Sequence, residues 1–484
     1  MDQEIELKLS IAAGDAGKII AAGLFPGRRR SVRQTSIYFD TADRTLAKSG
    51  ISLRIRTVRK RKVQTVKLNR GGLFLRGEWE CPVSDDVPVL DGASPLRDFL
   101  GEPPAALIPL FHIENMRALW SIGEEDAAIE AVLDRGEIVA GEQLYPICEI
   151  ELELKAGNPA ALFNWARHID AFVPVRIGVV SKCEAGYRLI GPSGGPAKAE
   201  PVSIDIEMRA AEAFQHIIRN CLRQYRLNED IVLTNGDPVA LHQARVALRR
   251  LRSALKLFRP MIEGKRYERL SGELKWLTGT LGRARDIDVL LSEDVPGELH
   301  IQLHRARLDT YAKMRSALES PKARLLMLDL VEWIEIGKWQ HRAGRIDIRG
   351  APITQFAGER LESMLTKIRR TGRLLGAMED SERHALRKAI KKLRYSAEFF
   401  AGLYTQGKSS KHCIRFIAAL EELQDRLGAL TDQAMRRVLL EELGIEDVAM
   451  QSEEHSAPER AKMLRSAQDA MDGLNDSKKF WREK

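Results

Sequence analysis

Residues 4–10, "EIELKLS", alternate charged and apolar side chains, and residues 149–157, "EIELELKAG", repeat the pattern. Side chains at i, i+2 and i+4 of a strand share a face. Glu4, Glu6 and Lys8 therefore project one way, and Ile5, Leu7 and Leu9 the other. A single strand of this kind is expected to bury its apolar face and turn its charges to water. Here the alternation recurs in "ISLRIRTV", "VQTVKLNR", "LRGEWECPV", "IEAVLDRGEIV" and "YPICEIELELK". These read as short strands of an antiparallel sheet, with helical stretches near Asp15–Gly23 and Pro159–Val173.

The polar faces are written almost wholly in Glu, Arg and Lys. Arg54 and Arg56 share a face, as do Thr65 and Lys67; Arg76, Glu78 and Glu80 share another, and so do Glu149, Glu151, Glu153 and Lys155. Surface strands normally mix in Thr, Ser and Gln. Faces this charged predict a second, interior environment, such as the inside of a small closed barrel. Unpaired charges there would be very costly, and mixed signs lower the cost. A phosphate chain held with divalent metal needs both signs. Mg²⁺ or Mn²⁺ takes hard oxygen ligands, and phosphate oxygens take Arg and Lys.

The ordered set ExExK (Glu4, Glu6, Lys8), "YFDT" (Tyr38–Thr41), "LRIR" (Leu53–Arg56), "TVK" (Thr65–Lys67), "RGEWE" and the late "EIELELK" resembles the CYTH family, the triphosphate tunnel metalloenzymes. The resemblance covers residues 1–190. It implies an eight-stranded antiparallel tunnel, α+β in class, that binds a triphosphate with two divalent ions, Mg²⁺ or Mn²⁺. Glu4 and Glu6 then resemble metal ligands, and Lys8 a phosphate contact; Arg54, Arg56, Lys67, Arg76, Arg117 and Lys182 resemble further phosphate contacts. Glu149, Glu151 and Glu153 resemble the second acidic strand, so they are further candidate metal ligands, at least two of which are expected to bind metal or position water. Glu4, Glu6, Lys8, Glu149 and Glu151 are the catalytic set it implies. Asp134, in "LDRG", is a further acidic candidate. A nucleotide or thiamine substrate would need a ring platform. The nearby aromatics Phe39, Phe74, Trp79 and Trp120 read as core, which leans towards inorganic tripolyphosphate.

"GPSGGPAKAEP", residues 191–201, reads as a linker, so residues 191–202 are expected to join two domains. After it the period is 3.6, and residues 203–484 read as all-helical. Residues 1–200 hold 26 Lys+Arg against 27 Asp+Glu, a net of −1; the formal total of +8 leaves the remainder at +9. A basic helical half has the electrostatics of something that meets polyanions. It also contains a duplication. "HQARVALRRLRSALKLF" from His242 returns as "HALRKAIKKLRYSAEFF" from His384, a shift of 142, and "LKWLTGTLGRARD" (274–286) returns as "LEELQDRLGALTD" (420–432), a shift of 146. Two homologous helical halves follow.

On the first helix His242, Arg245, Arg249, Arg252 and Lys256 form one stripe, and Ala244, Leu248, Leu251, Leu255 and Phe258 the opposite one. The second copy sets His384, Arg387, Lys391 and Arg394 against Leu386, Ile390, Leu393, Ala397 and Phe400. This half resembles the CHAD domain, a conserved-histidine helical domain. The resemblance implies a basic groove for inorganic polyphosphate, lined by those cations with Arg250, Lys392, Arg283 and Arg285. Arg283 and Arg285 have no basic match at Ala429 and Thr431.

Other readings are an adenylate cyclase or organic triphosphatase in the same tunnel, and a non-catalytic polyphosphate-binding protein. At 6% aromatic, the chain lacks the stacking side chains expected of a nucleic-acid binder. The acidic N-terminus, the scattered cysteines and the lack of an 18-residue apolar run predict a cytoplasmic protein with no membrane span.

Overall fold

The structure, a computed structural model, describes residues 2–68, 75–90, 96, 100, 106–191, 195–293, 297–444 and 457–482; the side chains of residues 2–4, 75–77, 431–435, 437 and 457 lie outside that description. The chain forms two units, Met1–Pro196 with Glu319–Gly337, and Ala197–Leu318 with Lys338–Lys484.

The first unit is a nine-stranded sheet: β1 (Asp2–Ser10), β2 (Arg30–Asp40), β3 (Ile51–Val58), β4 (Arg61–Leu68), β5 (Leu75–Val83), β6 (Ile108–Gly123), β7 (Ala127–Ala140), β8 (Gln143–Gly157) and β9 (Arg176–Ile177). Their order is β5-β4-β3-β2-β6-β7-β8-β1-β9, with β5 also pairing to β1. Every pairing is antiparallel. The sheet has one strand more than the eight expected, the two-residue β9, in which Ile177 and Arg176 pair with Leu9 and Ser10 at the end of β1. Two-residue turns close the β3–β4 and β7–β8 hairpins, and the β3–β4 turn puts Arg59 at φ 56, the left-handed region that such turns demand.

The helices Asp15–Ala22 and Ala160–Phe172 fall where the pattern predicts them. The apolar strand faces enter the core, with Leu7, Leu9, Leu53, Ile55, Ile150 and Leu152 all buried. The charged faces are not surrendered to water either. Lys8 is 5% exposed and Glu6 and Glu149 9% each, so the simple surface-strand reading fails here.

A helix from much later in the chain, Pro321–Ile336, completes this unit. Its Arg324 grips Asp170 of Ala160–Phe172 through Nε to Oδ1 at 2.6 Å and Nη2 to Oδ2 at 3.2 Å. Arg167 returns bonds to Asp329 and Glu332 at 2.6 and 2.7 Å. Helical period in residues 321–336 looks the same as in their neighbours, so pattern alone cannot show which unit receives them.

The second unit is helical, built on Ala210–Asn235, Pro238–Leu257, Lys265–Leu291, Gly297–Glu319, Ile353–Gly372, Asp380–Phe400, Gly407–Glu442 and Ala457–Asp476. Gly236, at φ 67, ends one helix, and Asp237 caps the next by accepting bonds from Val239 and Ala240 N–H. The duplication is visible in the core. Phe258 and Phe400 occupy the last matched positions of the two copies, and Phe214 and Phe356 stand 142 apart as well. Phe258 meets Phe214 at 5.1 Å, Phe356 at 4.6 Å and Phe400 at 6.4 Å between ring centroids. No described helix is long and apolar enough to cross a membrane.

Candidate functional site

Strand register brings the charged residues of the first unit together. Lys8 lies opposite Glu151 and Ser10 opposite Glu149 on β8; Glu149 lies opposite Asp134 on β7, and Asp134 opposite Arg117 on β6. Opposed residues of antiparallel strands share a face, so four strands deliver one cluster.

Lys8 Nζ donates to Glu149 Oε1 and Glu151 Oε1, both at 3.0 Å. Lys182, near the start of the helix Lys182–Leu189, reaches in from outside the sheet. Its ammonium contacts Asp134 Oδ2 at 2.7 Å, Glu151 Oε1 at 2.8 Å, and Glu149. Arg117 holds Asp134 through two bonds, 2.9 and 2.6 Å, and donates to Glu151 Oε2 at 2.9 Å. Asn115 Nδ2 adds a bond of 2.7 Å to Asp134, which is fully buried. Gly178 is needed beside this cluster, because a Cβ there would come within 2.6 Å of Lys8 Cγ.

The electrostatics follow from burial and mutual pairing. Burial alone would lower the Lys8 and Lys182 ammoniums, but the carboxylates more than offset it and hold both above the ordinary lysine value, Lys182 well above. Burial would raise Glu151, yet Lys182, Lys8 and Arg117 keep it well below the carboxylate range. Burial likewise opposes the ionised form of Asp134, and Lys182 and Arg117 outweigh it, so its value is lowered. All of these groups are therefore charged at neutral pH.

A second set lies on β3, β4 and β5. Lys67 pairs with Glu78 at 3.1 Å, Arg54 with Glu78 at 3.8 Å and Arg56 with Glu80 at 3.1 Å. Burial and then the neighbouring Arg54 lower the Arg56 guanidinium, with Arg117 of the first set adding to the effect.

Asp134, Glu149 and Glu151 each offer an oxygen within 4.8 Å of the others'. A hard-oxygen triplet suits Mg²⁺ or Mn²⁺. Of the expected ligands, Glu149 and Glu151 belong to this triplet. Glu153 instead meets Lys155 at 2.5 Å and lies opposite Glu6 and Glu130 on its two neighbours. Like charges directly opposed across strands are unfavourable, and a cation relieves them. The side chains of Glu4 and Arg76 lie outside the described residues, although their backbones are paired. Asn115 and Asp134 are the gains over the sequence-derived catalytic set. Asp134 already stands in the sequence as a further acidic candidate in "LDRG"; Asn115 carries no pattern, and only its place on β6 two residues before Arg117 marks it.

In the second unit the two histidine-led helices pack together. Burial lowers the His242 imidazole, and Arg285, Arg245, Arg249 and Lys391 lower it further. Burial lowers Arg249 too, partly offset by Tyr395, with Arg245, Arg387 and Arg394 repelling it. Lys392 is lowered by burial, then by Lys256, Lys367, Arg252 and Lys388. Both copies therefore contribute cations to one face. Part of that charge is already matched: Arg245 pairs with Asp286 at 2.6 Å, Arg394 with Glu398 at 2.7 Å, and Arg283 with Glu442. The duplicated glycines lie beside the matched arginines, closely only in the second copy. A Cβ on Gly282 would stand 3.8 Å from the Arg245 guanidinium, and one on Gly428 only 2.5 Å from that of Arg387.

Arg250 departs from the expected stripe. It is 3% exposed, bonds to Asn220 and Gln224 at 3.2 and 3.0 Å, and lies 5.2 Å over the Phe399 ring. One residue beyond Arg249 the helix has turned about 100°, which carries Arg250 off the cationic face and into the packing. It serves the core, not the groove.

These features define a two-part protein: an antiparallel sheet with a buried mixed-charge cluster, then a duplicated helical unit with a converging cationic face. The family model for the CYTH domain matches residues 2–187 and that for the CHAD domain residues 216–441, so the chain carries a CYTH domain followed by a CHAD domain. It is similar to an inorganic triphosphatase of Haemophilus influenzae, 32% identical over 195 residues, or 39% of this chain and 55% of the relative. The match thus spans little more than half of that relative's length. Among solved structures it is similar to the CHAD domain from the plant Ricinus communis (28% identity, 59% of this chain and 98% of that one, TM-score 0.46). It is also similar to a putative adenylate cyclase from Bacillus halodurans (20% identity, 38% and 98%, TM-score 0.29).

Proposed function

We propose that the first unit hydrolyses inorganic triphosphate with the aid of bound Mg²⁺ or Mn²⁺, and that the second binds inorganic polyphosphate. The observation that carries the reading is the buried set of three cations interleaved with three carboxylates. Asp134, Glu149 and Glu151, with Glu6 and Glu4 on β1, would hold two ions. Such ions offset charge on phosphate oxygens and activate water. The rest falls to the chain. Lys8, Lys182 and Arg117 now neutralise the carboxylates, and the same side chains can pass to phosphate oxygens when metal and substrate enter together. Arg54, Arg56, Lys67 and Arg76 would extend the phosphate contacts. The reading takes the ring of pairings from β1 round to β5 as the wall of an eight-stranded tunnel, with β9 outside it. Phe39 and Trp120 are buried in the core and Trp79 packs against it, which favours a substrate with no ring to stack; Phe74 lies outside the described residues.

The test is phosphate release from tripolyphosphate, ATP and long-chain polyphosphate by the full chain, with Mg²⁺ or Mn²⁺ and with chelator. Release from tripolyphosphate that stops with chelator is expected. Tight polyphosphate binding without release from any of them would make the protein a capture module.

Polyphosphate binding should depend on pH through His242. In the free protein burial and four neighbouring cations depress its imidazole. A polyanion seated among Arg245, Arg249, Arg285 and Lys391 reverses the sign of the local field and raises it. Binding therefore takes up a proton, and affinity should rise as pH falls below about 6.5, the ordinary histidine value. His242→Ala should flatten that profile; an unchanged profile in a titration of the full chain would remove His242 from the site.

A further inference from the structure

On the helix Gly297–Glu319, outside every motif above, two histidines stand one turn apart in "HIQLH". His300 Nε2 and His304 Nε2 are 3.0 Å from each other. Their ring centroids are 4.6 Å apart and their planes meet at 60°. Both side chains are exposed, and the two nitrogens share one hydrogen bond, which a cation arriving from solvent would replace. The helix beneath them is held firmly. Leu299 and Leu303 pack into a cluster with Leu290 and Leu440, and Arg307 and Tyr311 bond to Asp288 at 2.7 and 2.5 Å.

We propose that His300 and His304 form a bidentate site for a borderline transition-metal cation of the Ni²⁺ or Cu²⁺ class. Two imidazoles at i and i+4 on a helix present their nitrogens to one ion. With metal–nitrogen bonds of about 2.1 Å, a nitrogen separation of 3.0 Å subtends about 90° at the metal. That is the cis angle of the tetragonal arrangement that Cu²⁺ and Ni²⁺ prefer. A small rotation of the two rings aims both lone pairs at the shared point. Imidazole nitrogen suits these ions, whereas Mg²⁺ and Mn²⁺ favour oxygen, so the site would be chemically separate from the carboxylate triplet of the sheet. Among the described residues no third His, Cys, Asp or Glu joins the pair closely enough to share an ion, which leaves the other positions to water.

The test uses the full chain, untagged and stripped with chelator, titrated with Ni²⁺ or Cu²⁺ in excess Mg²⁺. Calorimetry follows affinity, and electron paramagnetic resonance of the Cu²⁺ form counts the bound nitrogens. A saturable site with a two-nitrogen signature is expected. His300→Ala and His304→Ala should each weaken it by at least about tenfold, the lower end of what even an outer-shell change does to a metal site. Because both side chains are exposed, the variants should keep the parent's circular dichroism and its phosphate release in Mg²⁺. Affinity unchanged in both variants, or saturable binding abolished by Mg²⁺, overturns the assignment.

Discussion

Glu151→Gln is expected to slow phosphate release from tripolyphosphate by about 10²–10³-fold, the scale on which removing one preorganised electrostatic partner acts in an active site. Of the three carboxylates in the cluster, this one alone meets all three cations. Its Oε1 accepts from Lys8 and Lys182 and its Oε2 from Arg117, so one carboxylate aligns cations from β1, from β6 and from the helix Lys182–Leu189. Those cations keep it ionised despite its burial. Glutamine preserves its size and one acceptor but removes the charge. Lys8, Lys182 and Arg117 then crowd on Asp134 and Glu149, and the oxygen triplet becomes a pair of carboxylates beside a neutral amide. Glu153→Gln is the contrast. Glu153 bonds to the half-exposed Lys155 and is no part of the triplet, so its loss should cost far less. Initial rates over a range of metal concentrations separate the effects: loss of a ligand raises the metal needed, and loss of positioning lowers the limiting rate. Equal rates for Glu151→Gln and the parent at saturating metal would falsify the role given to this carboxylate.

Removing Arg324 should destabilise the first unit by about 3–5 kcal/mol, the usual cost of leaving one member of a buried ion pair alone. Arg324 and Asp170 are each 7% exposed. The pair is bidentate, and Asp170 Oδ1 also accepts from the Val175 N–H at 3.0 Å, just ahead of β9. Arg324→Met keeps an unbranched, space-filling side chain but strands the carboxylate. The double variant Arg324→Met/Asp170→Asn should recover part of the loss, because an amide is cheaper to bury than an unpaired charge. The same logic applies to a fragment. Residues 1–196 alone lack the helix Pro321–Ile336 and leave Asp170 unpaired, so the fragment should melt lower than its unit does in the full chain. Added peptide spanning 319–337 should raise its melting temperature in a concentration-dependent way. A fragment that melts with the full chain and ignores the peptide would show that the helix adds nothing.

Much of the first unit was legible because period two is a local signal. The charged faces of β1, β3, β4, β5 and β8 could be read residue by residue, and the two "EIEL" strands do lie side by side, Leu7 opposite Leu152. Their burial could be inferred from composition, since faces of Glu, Arg and Lys without Ser or Thr are poor surface. In the helical half the shift of 142 exposed the duplication without any knowledge of packing, and the same shift relates the four phenylalanines of its core. Three things escaped. Asp134 was legible only as a further acidic candidate, and its place at the centre of the cluster comes from lying opposite both Arg117 and Glu149. Arg250 sits within a cationic run, and only the neighbouring helix shows that it points inward. The helix Pro321–Ile336 has the same period as its neighbours, yet packs on Ala160–Phe172.

The division has a physical cause. Amphipathic period, turn chemistry and internal repeats are written in neighbouring residues, so the amino-acid sequence alone determined a charged antiparallel sheet followed by a duplicated basic helical half. Which carboxylate meets which cation depends on strand register and on contacts between residues more than a hundred positions apart, as for Lys8 with Glu149 or Asp170 with Arg324. Burial strengthens those pairs by removing competing water, and only the tertiary structure decides which groups are buried together.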